Sequence, residues 1–254
     1  MRSSTQRSFS ALALALVLGQ AIAAPNHPGS SCSAQSPATM VPLVELYTSE
    51  GCSSCPPADR WLSRLKENPA VVALAFHVDY WDKLGWKDRF ASPAYSRRQA
   101  QQQAFNGARF SYTPQVVLNG RDHPHWNATA IPASSSARSP ATVTLTLSRS
   151  SDEIIATIHP DTGAPTRLAA YWAVTEDGHF TVVQSGENRG ENLRHDSVVR
   201  ELVEVPEWEV RRGTSRTLGF RPASAERTGH PRHINFVVVD AVTGKPLQAV
   251  RLDC

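Results

Sequence analysis

The 254-residue sequence contains no Gly-rich phosphate loop, no nucleophile-elbow serine and no zinc-protease helix, which leaves hydrolase readings without a signature. It has no repeat at a fixed period and, beyond its N-terminal run, no second apolar span. It also lacks an excess of charge. Taking Arg2 and Arg7 off with the N-terminal segment leaves 24 basic residues against 23 acidic ones. A nearly neutral chain is not drawn by charge alone to nucleic acid or to an anionic membrane.

What is present begins with an export signal. Arg2 and Arg7 precede an apolar run from Phe9 to Ile22, and Ala21-Ile22-Ala23 is a small-residue cleavage pattern. The run is short and Ala-rich for a membrane span, which needs about 20 apolar residues. An uncleaved anchor is the rival reading. Gly29-Ser30-Ser31 before Cys32 offers no apolar residue where a lipid-attachment cysteine needs one. The expected location is periplasmic or secreted, with residues 1–23 removed, and the mature chain is long enough for one large domain or two small ones.

Export places the four cysteines in an oxidising compartment, where three pairings are open to them. Cys52 with Cys55 is the natural pair by spacing, leaving Cys32 near the mature N-terminus and Cys254 at the last residue. A Cys32–Cys254 bridge would close a loop worth about 5 kcal/mol by chain entropy. Two exposed or intermolecular thiols are the alternative.

Residues 41–120 alternate strand and helix signals, within an expected first domain of 41–131. Leu43 to Tyr47 reads as a strand, Pro57 to Glu67 as a helix, and Val71 to Phe76 as a buried strand. A second helix is expected from Pro93 to Asn106 with Gly107 as its stop, followed by Gln115 to Leu118 and the turn dipeptide Asn119-Gly120. Residues 132–141 read as a linker and 24–40 as an N-terminal arm. From 142 to 254 the pattern has period two, as in Val143, Leu145 and Leu147, and describes an antiparallel β-sandwich.

Cys52-Ser53-Ser54-Cys55 stands where the first strand gives way to the first helix, the place at which thioredoxin-like proteins present a reactive dithiol. Longer runs carry a further resemblance. Thr48 to Asp59, His77 to Asp82, Leu84 to Asp88, Phe90 to Pro93, Tyr112 to Gln115, and Gly186-Glu187-Asn188 through Val198-Val199-Arg200 resemble the secreted bacterial family known as domain of unknown function (DUF) 1223. The resemblance implies a secreted protein with a thioredoxin-like fold, and no established reaction. The expected fold is therefore an α/β thioredoxin-like domain followed by an all-β antiparallel sandwich.

On that resemblance Cys52 is the nucleophile and Cys55 the resolving thiol of thiol–disulfide exchange with another exported protein, without a cofactor. Thr113-Pro114 fits a cis-proline facing the pair. Glu45 is the candidate for a buried acid beneath it, with a solvent-facing strand carboxylate as the plainer reading. Pro56 and Pro57 argue for caution over reactivity, because proline disfavours helical geometry in the residue before it. That predicts Cys55 and Pro56 outside the α region and fewer N–H groups near Cys52. Two rivals stay open. Cys52 and Cys55 with His77, His123 or His125 could form a Cu(I) or Zn site of a metal-binding or delivery protein. Alternatively the pair is a structural disulfide in a binding module, with Tyr80, Trp81, Trp86 and Trp126 lining a surface. The Gly186–Arg200 stretch either docks the two halves together or is a solvated loop.

Overall fold

The computed structural model describes residues 32–107, 109–128, 131, 138–211 and 213–254. The expected signal segment (1–23), residues 24–31 of the expected N-terminal arm and residues 132–137 of the expected linker lie outside them. Among the described residues there are fourteen strands and two α-helices, and no helix long and apolar enough to cross a membrane.

The strands are β1 (Cys32–Gln35), β2 (Leu43–Thr48), β3 (Val72–His77), β4 (Gln115–Leu118), β5 (Arg121–Asp122), β6 (Val143–Ser150) and β7 (Glu153–Pro160). They continue with β8 (Arg167–Glu176), β9 (His179–Val182), β10 (Asn192–His195), β11 (Val198–Glu209), β12 (Arg216–Phe220), β13 (Arg232–Asp240) and β14 (Pro246–Leu252). The helices are α1 (Pro56–Ser63) and α2 (Pro93–Asn106). Ser92 caps α2 by accepting from the Ala94 N–H at 3.3 Å, and Gly107 ends it with φ +64°, as its sequence predicts.

The expected α/β thioredoxin-like domain followed by a sandwich is not what the chain builds. It is mostly β, and its main sheet has eight strands in the order β14-β13-β8-β11-β3-β2-β4-β5. Strands from the α-helical segment and from the period-two segment thus share one sheet. The physical reason lies at β3. All six of its residues are buried, so an open edge there would leave backbone groups without partners. β11 supplies them: Val198 pairs with Ala75 in parallel, and the Ala75 N–H donates to Ser197 O at 2.8 Å. β11 then continues antiparallel along β8 as far as Glu209.

Alternation along the buried strands assigns each face. Leu43, Tyr47, Leu74 and Phe76 point to the side covered by α2 through Tyr95, together with Tyr171 and Ala173 of β8. Val44, Leu46, Ala73 and Ala75 point to the other side and pack on Ala58, Trp61 and Leu62 of α1. Further along that second face a four-stranded sheet, β1-β6-β7-β12, covers Leu168, Trp172 and Val174 of β8 with Leu145, Leu147, Ile154 and Ile158. β9 and β10 form a separate antiparallel ribbon inserted between β8 and β11. This excursion turns back over the start of α1.

Candidate functional site

Cys52 and Cys55 are joined by a disulfide with Cα atoms 5.4 Å apart, and both residues are fully buried. Cys32 and Cys254 are joined as well, with Cα atoms 6.2 Å apart. Cys55 is the N-cap of α1 and takes αR geometry (φ −77°, ψ −37°), against the expectation from the following proline. Local hydrogen bonds outweigh that preference: the N–H groups of Ala58 and Asp59 both donate to Cys55 O, at 2.9 and 3.1 Å. The helix therefore begins at Pro56, directly after the second sulfur.

Three backbone N–H groups of the turn are engaged by oxygen acceptors. The Cys52 N–H donates to Ser49 O, the Cys55 N–H to Cys52 O, and the Ser53 N–H to the Glu187 carboxylate at 3.1 Å. Pro56 and Pro57 have no N–H to offer. Asn188 clamps the turn from the other side, its amide donating to Glu50 O at 2.8 Å and to Cys52 O at 3.0 Å. The Gly186–Arg200 stretch thus docks onto the disulfide turn.

Thr113-Pro114 is cis. Ser54 joins it to the cysteine pair: its Oγ lies 3.4 Å from Cys52 Sγ and 3.5 Å from Thr113 O. Trp81 Nε1–H donates to Thr113 Oγ1 at 2.8 Å, and Gln99 donates to Tyr112 O at 2.7 Å and to Gln115 Oε1 at 2.9 Å.

Glu45 is buried, but alternation along β2 points it to the α2 face with Tyr47, away from the face that carries α1. There it forms an ion pair with buried Arg98 of α2 and accepts from Tyr171 OH at 2.7 Å and Tyr47 OH at 3.0 Å. Burial, reinforced by the Glu45 carboxylate, holds the Tyr47 phenol well above its ordinary pKa. This carboxylate is a structural anchor between β2, α2 and β8.

The ionisable groups on the α1 face are different ones. His77 at the end of β3 holds Asp88 through Nδ1 at 2.6 Å. Asp88 also accepts the N–H groups of Glu50 and Phe90. Glu50 accepts from Trp86 Nε1 at 2.8 Å, and His195 of β10 lies between Glu50 and Asp59. Burial disfavours a charged His77, yet Asp88, with Asp59 and Glu50, holds its pKa above the usual value. Asp88 is correspondingly held low by His77 against the effect of burial. Burial raises Asp59.

For the metal reading, the two sulfurs are bonded to each other and His77 Nδ1 is engaged by Asp88. No group of three or more His, Cys, Asp or Glu among the described residues is arranged to hold a metal ion. Of the four aromatics, Trp81 and Trp86 act through their indole N–H groups within the site, Tyr80 OH donates to Gln99, and Trp126 packs on Trp61. Asp59, Asp88, Glu50 and His195 went unread in the sequence as site residues. Their only signal was membership of runs that already stood out, and nothing local ties position 195 to position 50.

These features define a mostly β protein whose buried disulfide bridges the approach to a helix, over a pocket of imidazoles and carboxylates. The chain belongs to the family described as protein of unknown function (DUF1223), whose profile matches residues 43–238. No curated protein matches it. Among solved structures it is similar to protein AGR_C_4864 from Agrobacterium tumefaciens, with 27% identity and a TM-score of 0.62 over 84% of this chain and 94% of that one. It is also similar to HBP35 of Porphyromonas gingivalis, with a TM-score of 0.59 over 86% of this chain and 76% of that one; at 14% identity that likeness concerns the fold alone.

Proposed function

We propose that this protein is exported and exchanges its Cys52–Cys55 disulfide with the thiols of another exported protein, without a cofactor. The observation that carries the reading is the contrast between the two bridges. Cys32–Cys254 spans 222 positions and ties the chain ends together, whereas Cys52–Cys55 spans three. By chain entropy the long loop is worth about 5 kcal/mol and the short one about 2. A bridge that stabilises so little, placed at a helix start beside Ser54 and Thr113, fits chemistry better than stapling.

A second reading, a structural disulfide in a binding module, is favoured by one observation: neither Cys52 nor Cys55 is exposed. Exchange requires the Glu187–Asn188 segment to lift from the turn. The deciding experiment mixes the oxidised chain with a reduced, unfolded disulfide protein and counts the thiols lost by that protein. The exchange reading expects close to one disulfide transferred per chain and none from a C52A/C55A variant. No transfer from the unaltered chain leaves the structural reading.

A further inference from the structure

α2 does not cover the whole of its face of the main sheet. Where the helix runs out, a cavity of about 370 Å³ opens between its last turns, β8, β11 and the β13–β14 turn. Small-molecule sites have volumes of that order. Much of the wall is apolar, with Ala169 and Tyr171 of β8, Val239 of β13 and Phe105 of α2. Phe105 is 49% exposed, yet its position is held by the turn beside it. A Cβ on Gly244 would stand 2.4 Å from two carbons of the Phe105 ring, so only glycine lets the turn lie against it. On the β11 side the register shifts between Val205 and Trp208, and this bulge sets exposed Pro206 and Glu207 at the rim.

Two observations say what the cavity suits. The first is charge. Arg98 lines it, 3.9 Å over the Tyr171 ring, and is paired with Glu45. Glu207 at the rim is paired with Arg167. Glu204 and Asp240 also line it, and neither makes an ion pair among the described residues. Glu204 is exposed and stands opposite Tyr171 in the β8–β11 ladder, while Asp240 accepts only from the Val242 and Thr243 N–H groups. Lys245, the cation of the same turn, lines a different cleft beside Asn119 and Arg121. The cavity is therefore net negative. The second observation is an unmet acceptor. Gln102 is 6% exposed, reaches the cavity from α2, and its Oε1 has no hydrogen-bond partner. Such groups are rare in folded chains, and a donor brought by a ligand relieves the cost. Arg98 Nε is unpartnered as well, but an anion drawn to it would meet Glu204 and Asp240.

We propose that this cavity binds a small organic ammonium ion with an apolar body. Its N–H groups donate to the Glu204 carboxylate and, after the side-chain amide turns about its soft last bond, to Gln102 Oε1. Its apolar part lies against Phe105, Ala169 and Val239. An exposed carboxylate adds little affinity by itself, so apolar burial supplies the binding and Glu204 the preference for a cation. The site lies on the face of the sheet opposite α1 and stands apart from the exchange reading.

The test is calorimetric titration of the full oxidised chain, at low ionic strength, with phenethylamine, phenethyl alcohol and hydrocinnamate. These place a positive, a neutral and a negative group on similar apolar bodies. The amine should bind one to one and about tenfold more tightly than the alcohol, with hydrocinnamate weaker still. E204Q should weaken the amine about fivefold and leave the alcohol unchanged. Q102L should weaken the amine to a similar degree while the melting temperature holds or rises, because apolar atoms replace an unpaired amide oxygen. A lowered melting temperature with unchanged amine affinity would make Gln102 a structural residue and overturn its role. Should Q102L fail to fold, the exposed position of Glu204 keeps E204Q decisive. The proposal is overturned if the amine shows no saturable binding, if it binds no more tightly than the alcohol or hydrocinnamate, or if E204Q leaves its affinity unchanged.

Discussion

Replacing Cys32 and Cys254 together by alanine, and in a second protein Cys52 and Cys55, separates a staple from a reactive pair. The first bridge spans the described chain, from the start of β1 to the second residue after β14. Its loss frees the unfolded ensemble by about 5 kcal/mol on the loop-entropy model. At about 2–4 °C per kcal/mol for a domain of this size, the midpoint should fall by about 10–20 °C. Cys254 is exposed and Cys32 only partly buried, so little packing is lost with the sulfurs. The second bridge closes a loop of three positions, worth about 2 kcal/mol and about 4–8 °C. Cys52 and Cys55 are fully buried, and truncation there adds a cavity cost of about 1 kcal/mol. Scanning calorimetry of the two oxidised double variants beside the parent measures both losses. A C52A/C55A protein that loses as much as C32A/C254A would refute the reasoning and make the short bridge a staple.

Other outcomes follow from the packing. Asn188→Ala removes both amide hydrogen bonds over the turn, at about 1 kcal/mol each, so reduction of Cys52–Cys55 by excess dithiothreitol should quicken by about tenfold or more; an unchanged rate would show that this clamp does not control access. Glu45→Gln leaves Arg98 buried beside a neutral amide and should cost about 3–5 kcal/mol in urea unfolding, whereas a loss below about 1 kcal/mol would mean the pair is not an anchor. Two histidines should shape the pH dependence of stability. His233, opposed by burial but raised to about 9 by Asp177 and Asp253, adds stability that is complete below its ordinary pKa and lost as pH rises through about 9. His179, lowered by burial to about 3, stays neutral when folded, so the unfolded chain binds the extra proton and stability falls as pH drops below about 6.5. Urea midpoints from pH 4 to 10 should peak near neutrality, and H233Q should flatten the alkaline side; an unaltered alkaline limb in that variant contradicts the assignment.

The parts of this structure legible in the sequence are those fixed by local chemistry. Cys52 and Cys55 at a strand-to-helix boundary and the Pro93 start and Gly107 stop of α2 each depend on a few neighbouring residues, whereas the cis Thr113-Pro114 peptide is an expectation of the family resemblance. What escaped depends on distant pairing. Alternation in β8, β11 and β13 reports which side chains share a face but not which strand lies alongside. Nothing in Val198–Glu209 reveals that its first residue completes the edge of β3. Glu45 shows the same limit from the other side. The resemblance suggested a place beneath the disulfide, while the alternation of Glu45 with Val44 and Leu46 puts it on the opposite face of the sheet.

The same long-range pairing explains why the site needs both halves of the chain. β11 can lie beside β3 only if the chain returns from the end of β8 to Val198, and that return is the excursion carrying β9 and β10. The sheet edge that had to be covered is therefore also the reason Glu187, Asn188 and His195 arrive over α1. Glu187 and Asn188 close the turn that holds Cys52, and His195 enters the gap between Glu50 and Asp59. Residues 41–131 alone would present the same cysteine pair with an open β3 edge, an unclamped turn and two carboxylates facing each other without their imidazole. The disulfide is encoded in four consecutive residues, but its burial and its surrounding charges are set by a strand pairing between Ala75 and Val198, far along the chain.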